Sequence, residues 1–504
     1  MQLLVLGLFV AVYLHDLATT VEVTHHHSLR FAEALPRDTW PGLSVWAVAL
    51  AVLLPKLFVA LSYGWACRRT RKQLGTQRGQ CSLNRLETMT NAIPLLLLCL
   101  FIVDLSAGAL QHLRVPLQHT VLADELLIMF PTLFVVAWAW AAYYPVDRRL
   151  REAAIFREAD AGRPIYPLLT RRAYVVMQLR HQFGLLLLPL LAVSAWSEAV
   201  TLMGPNFDGP LSAQAVSFLS PLGVFVVFLG APLIIRHVWQ TRPLPAGDVR
   251  NRMLALCEQH NVRVRELLLW QTSGRMVNAA VTGLVSHVRY ILLSDGLLDQ
   301  LDPPEVEAVM AHELAHVKCK HIIWMGLSLI VTLVVFESLF GQIVDLANVM
   351  YATSTFDLWG PTGPLGFDLY NPDHRMLATA LPSFVVAILI FGWISRRIER
   401  QADVFAVRHL AMNIQDKQYN EHGKQVFDDI SVRTMVSALQ RVAELNHAPT
   451  HRKSWRHGSI AWRQDHLRSL VGHAIDPTPV DRVLMRVKLV TLAGLALTIT
   501  LYFL

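Results

Sequence analysis

The stretch His312-Glu313-Leu314-Ala315-His316 puts two imidazoles and a carboxylate within five positions. On a helix, residues four apart share one face about a turn from each other, so two imidazole nitrogens can reach one tetrahedral ion. Glu313, next to the first histidine, would then point to where an attacking water sits, the layout of a metal-dependent peptide hydrolase. The rival is accident: with 21 His in 504 residues, a chance HExxH string is expected on the order of a few hundredths of a time per chain. A third ligand weakens that rival.

Such a ligand is offered by SRRIERQADVFA, Ser395 to Ala406, where Glu399 and Asp403 are again four apart. The plain alternative is a solvated helix whose i,i+4 like charges mildly destabilise it. The functional reading uses both acids, Glu399 as the third zinc ligand and Asp403 as an acceptor that fixes one zinc histidine from behind.

Positioning these groups falls to a chain that composition places in a membrane. It is 53% hydrophobic and only 16% charged, with mean hydropathy +0.38, too apolar for an ordinary soluble globule. Runs long enough to cross a bilayer, about 20 residues each, lie near Leu3–Leu17, Gly42–Trp65, Asn91–Leu110, Leu122–Tyr143, Phe183–Met203, Ser217–Ile235, Ile322–Val344, Leu377–Ile394 and Leu489–Leu504. That predicts about nine spans, the first read as an anchor because it lacks a signal peptide's basic lead and cleavage site. Cys67, Cys81, Cys99, Cys257 and Cys319 show no CxxC spacing, which argues against a disulfide framework, a thiolate metal site and redox chemistry.

Loop charge sets the expected orientation. Arg68, Arg69, Arg71 and Lys72 follow the second span, Arg148, Arg149, Arg151, Arg171 and Arg172 the fourth, and Arg250, Arg252, Arg263 and Arg265 the sixth. Between them, Gly204–Val216 has no Lys or Arg and Asp345–Met376 only Arg375. By the positive-inside rule the basic segments are cytoplasmic, including Arg236–His321 and Ser395–Val487. Topology and anionic lipid thus account for the net charge of +7, and no nucleic-acid partner is needed. Asp302-Pro303-Pro304-Glu305 reads as a helix start, with a capping Asp and Pro in the first turn. No Gly or Pro follows Glu305 until Gly326, so the HELAH helix is expected to run straight into the seventh span. A hairpin of the seventh and eighth spans would bring His312, His316 and Glu399 to one membrane face, each on the order of 10 Å from the hydrocarbon edge.

HELAH followed by ExxxD, with spans around both, resembles the CAAX prenyl endopeptidase and HtpX-type integral-membrane zinc metallopeptidases, which are gluzincins. RMVNAAVTGL (Arg275–Leu284) and the strand-like VSHVRYILLSDGLLDQL (Val285–Leu301) look like that family's edge-strand and pre-helix region, so the likeness covers roughly Arg250–Arg486 outside the hairpin's outer loop. It implies one Zn2+ per chain on His312, His316 and Glu399, with Glu313 as general base. It also implies that Asn278 and Ala279 pair with the substrate backbone. The family's His-Pro motif, with an Arg six residues after the His, stabilises the oxyanion; here His457 and Arg463 have that spacing, with Gly458 in place of Pro. His473 and Arg482 compete for the role with a poorer fit.

The resulting expectation is a mainly α, polytopic helical membrane protein with a cytoplasmic gluzincin-type metalloprotease domain containing a small β-sheet. Residues 1–240 form an amino-terminal region of about six spans, 241–321 the first half of the protease domain, 322–396 the hairpin, 397–486 the second half and 487–504 the last span. The partners are a membrane-associated peptide or protein substrate and the bilayer, expected to be a bacterial inner membrane. Two other readings stay open: a site-2-type intramembrane protease, for which Asn371-Pro372-Asp373 imitates a second motif, and a transporter or scaffold with an inactive metal site. Lys56, Asp104, Glu198 and Glu337 fall inside apolar runs and should face protein or a wet cavity; His25–His27 reads as an exposed turn.

Overall fold

The structure, a computed structural model, describes residues 4–12, 45–106, 108–110, 113, 117, 120–160, 162, 165–205, 209–352, 372–415 and 417–503. The chain divides into two compact units, Met1–Gln240 and Thr241–Leu504.

The first unit is helical. Residues 4–12 form a short helix, followed by α1 (Val45–Gln73), α2 (Gly79–Ser106), α3 (Ala123–Asp160), α4 (Arg171–Gln178), α5 (Leu187–Leu202) and α6 (Ala213–Val238). A π-helical turn, Leu179–Gly184, joins α4 to α5, and the two are bent by 52°. Lys56 and Asp104, both buried, pair directly, and the Glu198 carboxylate accepts the Leu122 N–H at 2.7 Å. Glu337 of the second unit is exposed rather than enclosed by the protein. His25–His27, Asn371 and the rest of the first expected span lie outside the described residues.

Among the described residues, seven helices are long and apolar enough to cross a membrane, or eight with the bent pair, against about nine read from hydropathy for the whole chain. The molecule is a multi-pass, mainly helical membrane protein.

In the second unit, β1 (Thr241–Pro243), α7 (Asp248–Gln259), β2 (Glu266–Trp270), β3 (Ala279–Thr282), β4 (Tyr290–Ser294) and α8 (Asp295–Gln300) precede α9 (Pro303–Lys318), which carries HELAH. Then come α10 (His321–Ala352), α11 (Pro372–Asn413), α12 (Asp429–Leu445), α13 (Ile460–Arg468) and α14 (Pro479–Phe503). The four-stranded sheet runs β1-β2-β4-β3. β2 and β4 pair in parallel, with Leu268 opposite Leu292, and the outer strands are antiparallel to them. All five β4 residues are buried, as expected of a central strand covered on both faces.

The core of this unit joins Leu267, Ile291 and Leu293 of the sheet to Met310, Ala311 and Leu314 of α9 and to Val404, Ala406 and Val407 of α11. α9 starts as its sequence indicates: Asp302 N–H donates to the Glu305 carboxylate at 3.2 Å, and the buried Glu305 also accepts from Ser437 at 2.6 Å. It does not run into the membrane. Lys320 adopts φ 56°, the left-handed region that non-glycine residues seldom visit, so α9 stops at Lys318 and α10 begins at His321. α11 is 42 residues long, about 63 Å at 1.5 Å per residue. That is twice a bilayer core, so it continues well beyond the apolar segment and delivers Glu399 and Asp403 to the unit's interior.

Candidate active site

α9 and α11 pack side by side, and the faces they share carry the expected ligands. His312 Nε2 lies 3.4 Å from His316 Nε2 and 3.7 Å from Glu399 Oε2, and one donor atom from each of the three falls within 4.8 Å of the others. Donors bound tetrahedrally to zinc at 2.0–2.1 Å stand about 3.3 Å apart, so the site fits that ion with little movement. His312 and Glu399 are buried, 8% and 7% exposed, which keeps competing water from two of the three ligands.

Protonation favours binding at one of the two imidazoles. Metal-binding imidazoles must be neutral, and burial, reinforced by repulsion from His312, lowers the His316 pKa to about 3. For His312 burial acts in the same direction, but the Asp403 carboxylate outweighs it and the net shift is upward. Burial lifts Glu313 to about 7, with Glu399 adding to the rise and the Val281 backbone N–H opposing it. A carboxyl poised near neutrality suits proton transfer.

Behind each histidine stands a different support. Asp403 Oδ1 is 2.9 Å from His312 Nδ1, though off the line of the ring N–H. Asp403, 1% exposed, also accepts two bonds from Arg463, at 2.8 and 2.5 Å. His316 is instead backed by a residue the sequence did not suggest: His321 Nδ1 lies 3.0 Å from His316 Nδ1, and His321 Nε2 lies 2.9 Å from Gln401 Oε1. Gln401 Nε2 donates to Asp481 at 2.6 Å, and Asp481 is held in turn by Arg408 at 2.9 Å. Only the break at Lys320 lets His321 turn back over the HELAH helix, and no Gly or Pro announces it.

His457 and Arg463 both reach the site, in positions that differ from the oxyanion expectation. His457 Nδ1 lies 2.9 Å from Glu399 Oε1 with its side chain 51% exposed. Arg463 faces Asp403 and has Nη1 3.4 Å from Glu399 Oε2, so its guanidinium neutralises the acid pair. Burial works against its charge, but Asp403 and Glu399 more than compensate and raise its pKa. His473 is exposed, and its ring contacts the Val471 carbonyl at 3.4 Å; no hydrogen bond or ion pair joins His473 or Arg482 to the site among the described residues. Gly458, where the family pattern has Pro, sits at φ 74°, a conformation closed to proline, and a Cβ there would fall 2.8 Å from the Trp462 ring.

Of the proposed substrate-binding pair, Asn278 uses its N–H and C=O on Ser294, at 2.9 and 3.0 Å. β3 is an edge strand, and in an antiparallel ladder alternate residues turn their backbone groups outward. Those residues are Ala279 and Val281, and Val281 donates to Glu313. The open edge therefore runs directly beside the general-base candidate. Asp373 is on the same continuous helix as Glu399, 26 residues earlier, or about 39 Å away. Its place on the helix is thus far from that of Glu399, which weighs against the site-2-type reading.

A family model described as peptidase family M48 matches residues 243–446, a range that includes all three donors and Glu313 but stops before His457. Protease HtpX of Pseudomonas aeruginosa is 34% identical over 141 residues, 27% of this chain and 42% of that protein. The CAAX prenyl protease 1 homolog of Arabidopsis thaliana is 31% identical over 200 residues, 38% of this chain and 44% of that one. The chain thus spans less than half the length of these relatives. A crystal structure of S. mikatae Ste24p aligns with 83% of this chain and 98% of its own, at 17% identity and a TM-score of 0.47. The segment that builds the His312, His316 and Glu399 cluster is similar, over residues 243–446, to peptidase family M48.

Proposed function

We propose that the protein is an integral-membrane zinc metalloendopeptidase holding one zinc ion per chain. The observation that carries this is the convergence of His312, His316 and Glu399 donors within 4.8 Å, with Glu313 beside them. Zinc held there would leave a fourth position for water, lower the pKa of that water and polarise a carbonyl. Glu313, near neutral pKa, takes the proton from the attacking water and passes it to the leaving amine. The edge of β3 at Ala279 and Val281 receives the substrate as an added strand, which lays its scissile carbonyl alongside Glu313. His457, whose Nδ1 is engaged by Glu399, offers Nε2 to the developing oxyanion, while Arg463 holds the charge balance of Glu399 and Asp403.

We take the substrate to be a membrane-associated protein or peptide and the membrane to be a bacterial inner one, with the site on the cytoplasmic side that the basic loops favour. The test is metal analysis of the detergent-purified full chain with cleavage of an unfolded model substrate, with and without chelator. Glu313→Gln should keep stoichiometric zinc and lose cleavage by 10²-fold or more. Zinc without any cleavage by the unaltered chain would favour a scaffold with a structural metal site.

A further inference from the structure

Where α11 emerges from its apolar stretch, Arg396, Arg397 and Arg400 follow within two turns. None forms an ion pair with a carboxylate among the described residues. Arg396 donates to the Trp455 carbonyl at 2.7 Å, Arg397 covers the Trp393 ring at 4.9 Å, and Arg400 lies 3.4 Å from the Trp462 ring centre with its Nε buried and unbonded. The loop between α12 and α13, residues 446–459, folds over the same stretch. Its Trp455 stacks on Phe391 with ring centres 5.8 Å apart, so tightly that a Cβ on Gly392 would strike the indole.

That loop brings Arg452, Lys453 and Arg456, all exposed and likewise without an acidic partner among the described residues. Six cations carried by the loop and by the stretch of α11 that it covers, none with a carboxylate partner among the described residues, leave an excess of positive charge that an anion from outside would complement. Trp393 and Trp455, 39% and 46% exposed, mark the level of that anion, because tryptophan collects at the membrane–water boundary. A free anion has no reason to need the aromatic floor; a lipid headgroup sits at that height by default. At its far end the loop places His457 on Glu399 at 2.9 Å.

We propose that this basic, tryptophan-floored shelf binds the phosphate headgroup of an anionic phospholipid, and that the bound lipid keeps the 446–459 loop seated with His457 against Glu399. The lipid site stands on the shelf alone; its consequence for turnover rests on the peptidase reading. The full chain is placed in phosphatidylcholine nanodiscs, and binding of spin-labelled phosphatidylglycerol is compared with that of spin-labelled phosphatidylcholine. Each cation at a membrane surface is worth roughly fivefold in affinity. Arg452→Gln/Lys453→Gln/Arg456→Gln should therefore weaken the tightest phosphatidylglycerol class on the order of tenfold or more, with zinc content unchanged. A control, Arg68→Gln/Arg69→Gln/Arg71→Gln, should keep it.

Equal phosphatidylglycerol binding by the unaltered chain and the loop variant overturns the site. So does displacement of the lipid by inorganic phosphate at matched ionic strength. Model-substrate cleavage should rise several-fold with phosphatidylglycerol in the unaltered chain and not in the loop variant; cleavage indifferent to a lipid that does bind overturns the coupling. Selective lipid binding in a chain that cleaves nothing leaves the shelf intact and removes the peptidase reading instead.

Discussion

Replacing His321 by Ala should release zinc without touching a ligand. The proton positions along the chain behind His316 are dictated from its far end. Gln401 Nε2 donates to Asp481 at 2.6 Å, which turns Oε1 toward His321; that oxygen can only accept, so His321 Nε2 carries the proton at 2.9 Å. Neutral His321 then has a bare Nδ1, which accepts from His316 Nδ1–H at 3.0 Å and leaves His316 Nε2 with its lone pair toward the cluster. Losing the acceptor strands a buried N–H, a penalty of about 1–3 kcal/mol, and frees the ring to rotate. Outer partners of this kind change metal affinity by about 10–100-fold. The assay is zinc affinity of the detergent-purified chain in competition with a chelator at fixed pH. Gln401→Leu should produce a smaller loss, and the double variant should be little worse than His321→Ala alone, because residues in one network are not additive. A zinc affinity within twofold of the unaltered chain for His321→Ala, or single effects that simply add, would refute the relay.

Arg463→Met would leave Asp403 and Glu399 facing each other without a cation in a buried site, a loss of about 3–5 kcal/mol; thermal unfolding of the zinc-free chain should report it, and an unchanged midpoint would remove Arg463 from the charge balance. Gly458→Ala forces a side chain into φ 74° and against the Trp462 ring, so it should destabilise the His457 turn by about 1–2 kcal/mol, seen as weaker cleavage and earlier proteolysis of the 446–459 loop. Acid should destabilise the second unit through His260, whose pKa is lowered to about 4 by burial, His409 and Lys318. Above pH 6.5 the group is neutral in both states; between about 6.5 and 4 the unfolded chain takes a proton that the native one refuses, so stability falls as pH drops through that window. His260→Gln should flatten that part of the denaturation curve by up to one proton, and an unaltered slope would contradict the assignment.

The cluster of candidate ligands was legible because it obeys the shortest rules in a helix. His312 and His316 are four apart, as are Glu399 and Asp403, and each pair falls on one face whatever the tertiary structure does. Their meeting needed only that two helices pack side by side. What could not be read were features set by a single backbone angle or by contacts distant in sequence. Lys320 is neither Gly nor Pro, so its φ of 56° had no signal, and the expected straight helix hid His321. Gln401 lies between two recognised acids and looks like filler until Asp481, 80 positions later, fixes its amide. Nor does spacing tell whether Arg463 faces substrate or Asp403.

The break at Lys320 also explains why the two histidines of the candidate zinc site need different supports. His312 lies in the middle of α9, against α11, where a helical neighbour can bring a carboxylate directly to Nδ1. His316 is two residues from the end of its helix, facing the start of a membrane-crossing one. A second buried carboxylate there would set another negative charge beside Glu399 in a low-dielectric interior, where an unpaired charge is costly. A neutral imidazole and an amide transmit the same orientation while keeping the charge out at Asp481, where Arg408 meets it at 2.9 Å. Gln401→Glu tests that argument: it moves a carboxylate inward and sets it against Asp481. It should therefore weaken both zinc binding and stability, whereas a carboxylate that improved zinc affinity would show that orientation alone, and not charge, decides the support behind His316.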